Sequence, residues 1–136
     1  LTQKDAKRAL DVAASQLQRE PNDDDTLWHA PALPATRSAH AIHLLPAFDE
    51  YVIGYRDRAP VVDNAYLRRV IGINGLVSPT IIVEGRVVGT WKREADARGG
   101  LRLSPFRALQ DKELAGIAKA AARLGRFLGA PTPLLS

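Results

Sequence analysis

The sequence predicts a small α+β domain, and three segments carry this prediction. Residues 1–18 and 111–129 have the spacing of amphipathic helices, and residues 78–93 read as two apolar strands around a tight turn. The chain has 136 residues, 46% of them hydrophobic, which is enough for one ordinary core. It contains no cysteine, so disulfides and thiolate metal sites are excluded.

The chain shows no apolar run long enough to span a bilayer and no signal-peptide pattern. We therefore expect no membrane partner and a cytoplasmic location. It begins with Leu1 and contains no methionine. These two features predict a fragment or a processed product.

The opening segment, LTQKDAKRALDVAASQLQ, predicts a helix. Thr2 with Asp5 three residues later is a capping-box pattern. A narrow apolar stripe follows at helical spacing, formed by Ala6, Ala9, Leu10, Ala13 and Leu17. Pro21 and an acidic run end the helix, and TLWHA follows as a short strand.

The middle of the chain alternates short apolar runs with turn residues. The runs AIHLLPAF, EYVIGYR and GGLRLSPF predict strands, and DNAYLRRVIG predicts a short helix. In SPTIIVEGRVVGTWKR the turn is centred on Glu84-Gly85 or on Gly85-Arg86. Both registers give one face with Ile81, Val83, Arg86, Val88 and Thr90 and another with Ile82, Val87, Gly89 and Trp91. Both faces are largely apolar, which favours a closed barrel or a covered sheet.

The last helix, DKELAGIAKAAARLGRFLG, is predicted with an apolar seam and a basic face. The seam consists of Leu114, Ile117, Ala121, Leu124 and Leu128. The opposite face carries Lys112, Lys119, Arg123 and Arg126, which is typical of a solvated helix surface. Gly129 and the following PTP end the helix.

The net charge of +4 is unevenly distributed. Residues 1–60 hold seven Lys or Arg against nine Asp or Glu, and residues 61–136 hold twelve against six. A solvated basic surface and a phosphate-binding surface both fit this bias. The stretch TWKR likewise allows two interpretations, both with Trp91 packed in the core. Lys92 and Arg93 are either solvated or in contact with a phosphate backbone.

The stretch LLPAFDEYVIGYRDR places five charges among large apolar residues. The carboxylates Asp49, Glu50 and Asp57 could act as an acid/base pair, but pairing with Arg56 and Arg58 is the favoured interpretation. Of the three histidines, His40 and His43 lie three apart in an extended segment and point to opposite faces. With His29 they form no metal-ligand set, so we expect no metal and no cofactor.

Three stretches together resemble a known family: LLPAFDEYVIGYRDR, SPTIIVEGRVVGTWKR and AARLGRFLG. Their order and spacing resemble the C-terminal part of the winged-helix DNA-binding proteins related to the bacterial DNA glycosylases that unhook alkylated and cross-linked bases. The resemblance covers residues 1–129. It implies that residues 1–35 end a winged-helix unit, with EPNDDDTLWHA as its wing, and that residues 36–136 form a β-barrel-like domain with a closing helix.

The resemblance also implies a function. The chain would be a C-terminal piece that contacts the backbone of duplex DNA, beside the N-terminal winged-helix units of the same protein. Its DNA-binding residues would be Arg56, Arg58, Arg86, Lys92 and Arg93, with Asp49, Glu50 and Asp57 as structural polar partners. The alternative is a module that braces a winged-helix transcriptional regulator without touching DNA.

No catalytic residue is carried over from the family. The resemblance implies that glycosylase members have a paired-glutamine motif near the N-terminus, whereas Gln16 and Gln18 of this chain lie at the end of the first predicted helix. On a helix, side chains two residues apart diverge by about 200° and do not converge on one water. Whether the parent protein is an enzyme is left open by the sequence.

Overall fold

The structure is a computed structural model that describes residues 2–22, 25–32, 41–94 and 99–135. The chain divides into two units, Leu1–Arg37 and Ser38–Ser136. Among the described residues, no helix is both long and apolar enough to cross a membrane. The prediction for His40 falls outside the described residues.

The first unit is a helix followed by a hairpin. Helix α1 (Gln3–Ala13) runs into a 3-10 turn (Ala14–Gln16), and strands β1 (Gln18–Asn22) and β2 (Asp25–His29) pair antiparallel. The predicted capping box is confirmed, because the Asp5 N–H donates to Thr2 Oγ1 at 3.2 Å and the Thr2 N–H donates to Asp5 Oδ2 at 3.0 Å. Gln16 ends the 3-10 turn and Gln18 starts a strand, so the angular argument made for a helix does not apply to this pair.

The second unit is built on a five-stranded sheet. Its strands are β3 (Ile42–Leu45), β4 (Thr80–Val83), β5 (Arg86–Arg93), β6 (Leu101–Pro105) and β7 (Leu134–Leu135). They lie in this order, antiparallel except for the parallel β6–β7 pair. The sheet is an open, curled half-barrel, so the prediction of a mixed α+β fold is confirmed but the barrel is not closed.

The segment EYVIGYR starts with a single helical turn, and its prediction as a strand was wrong. Helix α2 (Glu50–Ile53) begins at Asp49, whose Oδ1 accepts the Tyr51 N–H at 2.9 Å. An aspartate at this position satisfies a free N–H at the helix start, which favours a helical turn over an extended strand. The short helix α3 (Leu67–Val70) lies where DNAYLRRVIG predicts it.

The hairpin of β4 and β5 turns at Glu84-Gly85, one of the two predicted registers. Both turn residues have positive φ, 51° and 81°, as expected for the tight turn that follows the twist of a hairpin. A register shift between Ile81 and Ile82 sets Ile81 opposite Gly89. This β-bulge moves Gly89 and Trp91 to the face of Ile81, so their predicted face was wrong.

Two apolar clusters cover the two faces of the sheet. On one face, Ile82 and Val87 pack with residues from the chain between β3 and β4: Val52, Val62, Val70 and Val77. On the other face, the buried residues Ile81, Val83 and Val88 pack against Ile117 of helix α4 (Asp111–Leu128). The prediction of a covered sheet is therefore confirmed.

Helix α4 is confirmed, with Gly129 at φ 66° ending it, but its buried face is rotated from the predicted seam. The buried residues are Glu113, Ile117, Ala120, Ala121 and Gly125. Leu114 and Leu128 are 40% and 39% exposed, so their assignment to the core was wrong. The small residues let the helix lie close to the sheet, and the buried Glu113 is stabilised by an ion pair that the apolar pattern does not show.

We expect Gly89→Ala to lower the free energy of unfolding by about 1–3 kcal/mol, because the site is overpacked by one methyl group. A Cβ at Gly89 would lie 2.7 Å from Pro105 Cα and 2.9 Å from Ser104 O. Both atoms belong to the backbone of β6, which cannot yield by rotating a side chain. Urea denaturation measures the loss, and an unchanged midpoint would show that β6 moves away at little cost.

Candidate nucleic-acid interface

The five cations predicted to bind DNA fall into two groups along β5. Arg86 begins the strand and lies beside the segment that contains Arg56 and Arg58. Lys92 and Arg93 end the strand. Six residues of extended chain separate Arg86 from Lys92, which corresponds to about 20 Å. The fold therefore does not bring these cations together in one patch.

In the first group, two guanidinium groups bind backbone carbonyls. Arg86 Nη1 donates to Pro60 O at 3.0 Å and Nη2 to Ala59 O at 3.4 Å. Arg58 Nε donates to Val52 O at 3.1 Å. These contacts hold the chain after α2 against the β4–β5 turn. Each guanidinium retains further N–H donors, since the group has five.

The carboxylates near this group cap backbone N–H groups. Asp49 caps α2, and Asp57 Oδ1 accepts the Ala59 N–H at 3.0 Å. Glu50 is exposed in the first turn of α2. Within residues 41–94, none of these carboxylates forms an ion pair with Arg56 or Arg58. The predicted mutual pairing was wrong, because a helix and turns replace the expected strands and turn the side chains toward the local backbone.

The second group contains a cation that the sequence reasoning missed. Arg102 of β6 lies opposite Lys92, and both contact Glu94 Oε1, at 2.7 Å from Arg102 Nε and 3.2 Å from Lys92 Nζ. The Arg102 hydrogen bond, followed by that of Lys92, lowers the pKa of Glu94. Lys92 and Arg102 thus share one carboxylate, and Arg93 is exposed at the same strand end. Arg102 was identifiable only through the pairing of β5 with β6.

Helix α4 presents a further set of cations. We call Lys112, Lys119, Arg123 and Arg126 the α4 basic row, and all four are exposed. Arg123 Nη2 donates to Ile42 O of β3 at 3.4 Å. A groove of about 960 Å³ lies between α4 and β3, with Lys112, Lys119 and Arg123 among its lining residues.

The two described histidines, His29 and His43, belong to different units of the chain. His29 Nδ1 lies 2.8 Å from Ala30 O, and its Nε2 is 4.0 Å from Glu20 Oε2 in the same hairpin. His43 lies on β3 and is exposed. Among residues 2–22, 25–32, 41–94 and 99–135, no three His, Asp or Glu side chains are grouped to hold a metal ion.

The fold and the site together define a class of protein, an α+β domain with an open, helix-covered sheet and cations exposed at a strand end. The family model described as DNA glycosylase AlkZ-like matches residues 1–127, so this chain belongs to the AlkZ-like DNA glycosylase family. The resemblance to cross-link glycosylases noted from three sequence motifs is thereby confirmed.

Two relatives from Streptomyces sahachiroi show how much of a longer protein the chain represents. The interstrand DNA cross-link repair glycosylase is 31% identical over 102 residues, which is 74% of this chain and 27% of that protein. The solved structure of the DNA glycosylase AlkZ matches with a TM-score of 0.78 and 22% identity, over 99% of this chain and 37% of that one. The chain thus spans well under half the length of these relatives and shares the fold of the matched part.

Proposed function

We propose that this chain acts as the C-terminal part of a DNA-repair glycosylase and binds the backbone of duplex DNA. The observation that carries the proposal is the pairing of both Lys92 and Arg102 with the carboxylate of Glu94, while Arg93 is exposed at the same strand end. An excess of positive charge at an exposed strand end attracts phosphates without reading base sequence. Membership in the AlkZ-like family supports DNA as the partner.

We further propose that the first unit ends a winged-helix unit, with the β1–β2 hairpin as its wing, and contacts the preceding units of the parent protein. No residue of α1 is buried, although Ala6, Ala9, Leu10 and Ala13 form an apolar stripe along it. An exposed apolar helix face is typical of a surface that packs against another element. The hairpin also places Arg19 over the Trp28 ring, 5.2 Å from its centroid, which orders the side chains of the wing.

Arg56, Arg58 and Arg86 are assigned a supporting role in this proposal. The carbonyl contacts of Arg58 and Arg86 fix the segment between α2 and β5, and Arg56 is exposed in the same segment. The N–H donors that remain on these guanidinium groups would contact phosphates. No catalytic role is assigned to any residue of the chain. The removal of alkylated or cross-linked bases would be an activity of the whole protein, acting on bacterial DNA in the cytoplasm.

Binding to a fluorescent duplex at several salt concentrations tests the proposal. For Lys92→Ala/Arg93→Ala, we expect the slope of log affinity against log salt to flatten by about two units, because each phosphate contact contributes about 0.9. Lys92→Arg retains the charge and should retain the slope. A wild-type chain that does not bind at about 50 mM salt would contradict DNA binding by this region. It would favour the alternative of a bracing module.

A further inference from the structure

The α4 basic row forms a compact stripe on an exposed helix. At 100° per residue, Lys112, Lys119, Arg123 and Arg126 fall within about 60° of the helix circumference. Arg126 follows Lys112 by fourteen positions, which corresponds to about 21 Å of helix, the length of roughly six base pairs along duplex DNA. The stripe therefore has the dimensions to follow one strand of a phosphate backbone.

The row is not neutralised by its own helix. The acidic residues of α4 are Asp111 and Glu113, both in the first turn. From Leu114 to Leu128 the charged residues are all basic. Acidic residues at i,i+4 spacing from these cations would pair with them on the helix surface. This face has no such acidic partners, so its cations are left to attract an external anion.

The groove beside α4 shows which part of the row is most positive. At the Lys112 end, the carboxylates of Glu84 and Glu113 line the groove, and Glu113 is paired with Arg107. The other charged or titratable residues that line the groove are His43, Lys119 and Arg123. An adjoining cavity shares His43 and Arg123 and has no carboxylate among its described lining residues. Positive charge is therefore concentrated over residues 119–126 of α4, and Lys112 is locally balanced.

Close packing of α4 on β3 holds these cations at a fixed distance from the sheet. Gly116 lies so close to Ile42 that a Cβ at this position would collide with the isoleucine side chain. Arg123 is held by Ile42 O through one N–H, which leaves four donors of its guanidinium for a ligand. The α4 basic row therefore lies on a helix that is packed against the sheet, and not on a loop.

We infer that three residues of the α4 basic row, Lys119, Arg123 and Arg126, form a second phosphate-binding surface for duplex DNA. This inference rests on the proposed function and adds a surface to it. The surface is distinct in sequence and secondary structure from the strand-end cluster of Lys92, Arg93 and Arg102. Two cationic surfaces on one unit would increase affinity through additional phosphate contacts without adding sequence specificity.

The test combines a residue-resolved titration with matched variants of the whole 136-residue chain. Backbone amide signals of ¹⁵N-labelled protein are followed as a short duplex is added at low salt. We expect signals of residues 119–126 to shift. In parallel, Lys119→Ala/Arg126→Ala should flatten the salt slope by about two units, since two phosphate contacts are lost. Lys112→Ala, the matched control on the same row, should leave it nearly unchanged, and Lys119→Arg/Arg126→Lys should bind like the wild type.

The outcomes separate this inference from the proposed function. Shifts at the end of β5 with none on α4 would overturn the α4 surface and leave the proposed function standing. Shifts on α4 with none at the end of β5 would support the α4 surface and overturn the strand-end assignment. If Lys112→Ala flattened the salt slope as much per cation removed, the row would act only through its total charge. That result would contradict the placement of the surface on residues 119–126. A spectrum unchanged by the duplex would overturn both.

Discussion

Replacing Ile117 with alanine is expected to lower the free energy of unfolding by about 3–4 kcal/mol, the range for a large side chain removed from a closed core. Ile117 is 0% exposed. It packs against Ile81, Val83 and Val88 on the face of the sheet that α4 covers. The strands around it are paired on both sides and cannot collapse into the cavity. Urea denaturation followed by circular dichroism gives the difference directly.

Leu114→Ala on the same helix is the matched control. Leu114 is 40% exposed, so its truncation should cost less than about 1 kcal/mol. Equal losses at the two positions would contradict the orientation of α4 described above and would restore the seam predicted from the sequence. Retained duplex binding by a folded Ile117→Ala protein would separate the role of the core from that of the surface cations.

The rotated seam of α4 shows which part of the fold the sequence could predict. The helix itself, its end at Gly129 and its packing on a sheet follow from apolar spacing and turn chemistry. The exact buried face depends on the partner across the interface. Here small residues and a paired Glu113 occupy the contact, while the larger Leu114 and Leu128 are left at its margin. A pattern that counts only large apolar residues cannot detect this.

The prediction of a strand after β3 was wrong for a different physical reason. In EYVIGYR, aromatic and β-branched residues favour a strand, but Asp49 provides a side-chain acceptor that starts a helical turn. The β-bulge at Gly89 is similar, because a single extra residue in one strand leaves no mark in hydrophobic alternation. Local hydrogen bonds of this kind decide whether a short segment becomes a helix or a strand, because a short segment has too few residues to show a clear hydrophobic period.

The candidate site was predictable in residue type more than in arrangement. Exposed cations at the end of β5 follow from the strand pattern, and Lys92 and Arg93 are exposed there. The sequence could not show that Arg86 binds carbonyls 26 and 27 residues away, or that Arg102 joins Lys92 at Glu94. These contacts are set by tertiary pairing. They change the expected role of Arg86 from a free phosphate ligand to one that also supports the fold.

Arg107→Ala is expected to have the second large effect on stability, because it leaves a buried carboxylate without its partner. Glu113 is 5% exposed, and its two oxygens accept from Arg107 Nη2 at 2.7 Å and Nη1 at 2.9 Å. Oε2 also accepts the Gln110 N–H at 2.8 Å at the start of α4. Breaking such a pair should cost about 2–3 kcal/mol near pH 7, less than for a fully buried pair because Arg107 is half exposed.

The pH dependence gives this prediction a specific signature. The hydrogen bonds from Arg107 and then from the Gln110 N–H lower the pKa of Glu113 from 4.5 to about 2. A folded-state pKa below the unfolded value contributes stability that is fully present above about pH 4.5 and lost as pH falls toward 2. In Arg107→Ala the pKa of Glu113 should rise, so the stability difference from the wild type should shrink over that window.

Arg102→Ala supplies the control, because Arg102 pairs with the more accessible Glu94 and its loss should cost less than about 1 kcal/mol. Unfolding free energies from urea denaturation between pH 7 and pH 3 would distinguish the two pairs. A difference between Arg107→Ala and the wild type that does not change with pH would mean that Arg107 acts through packing of its side chain. In that case the ion pair with Glu113 does not stabilise the first turn of α4. The orientation of the α4 basic row would then depend on the packing of Ile117 alone.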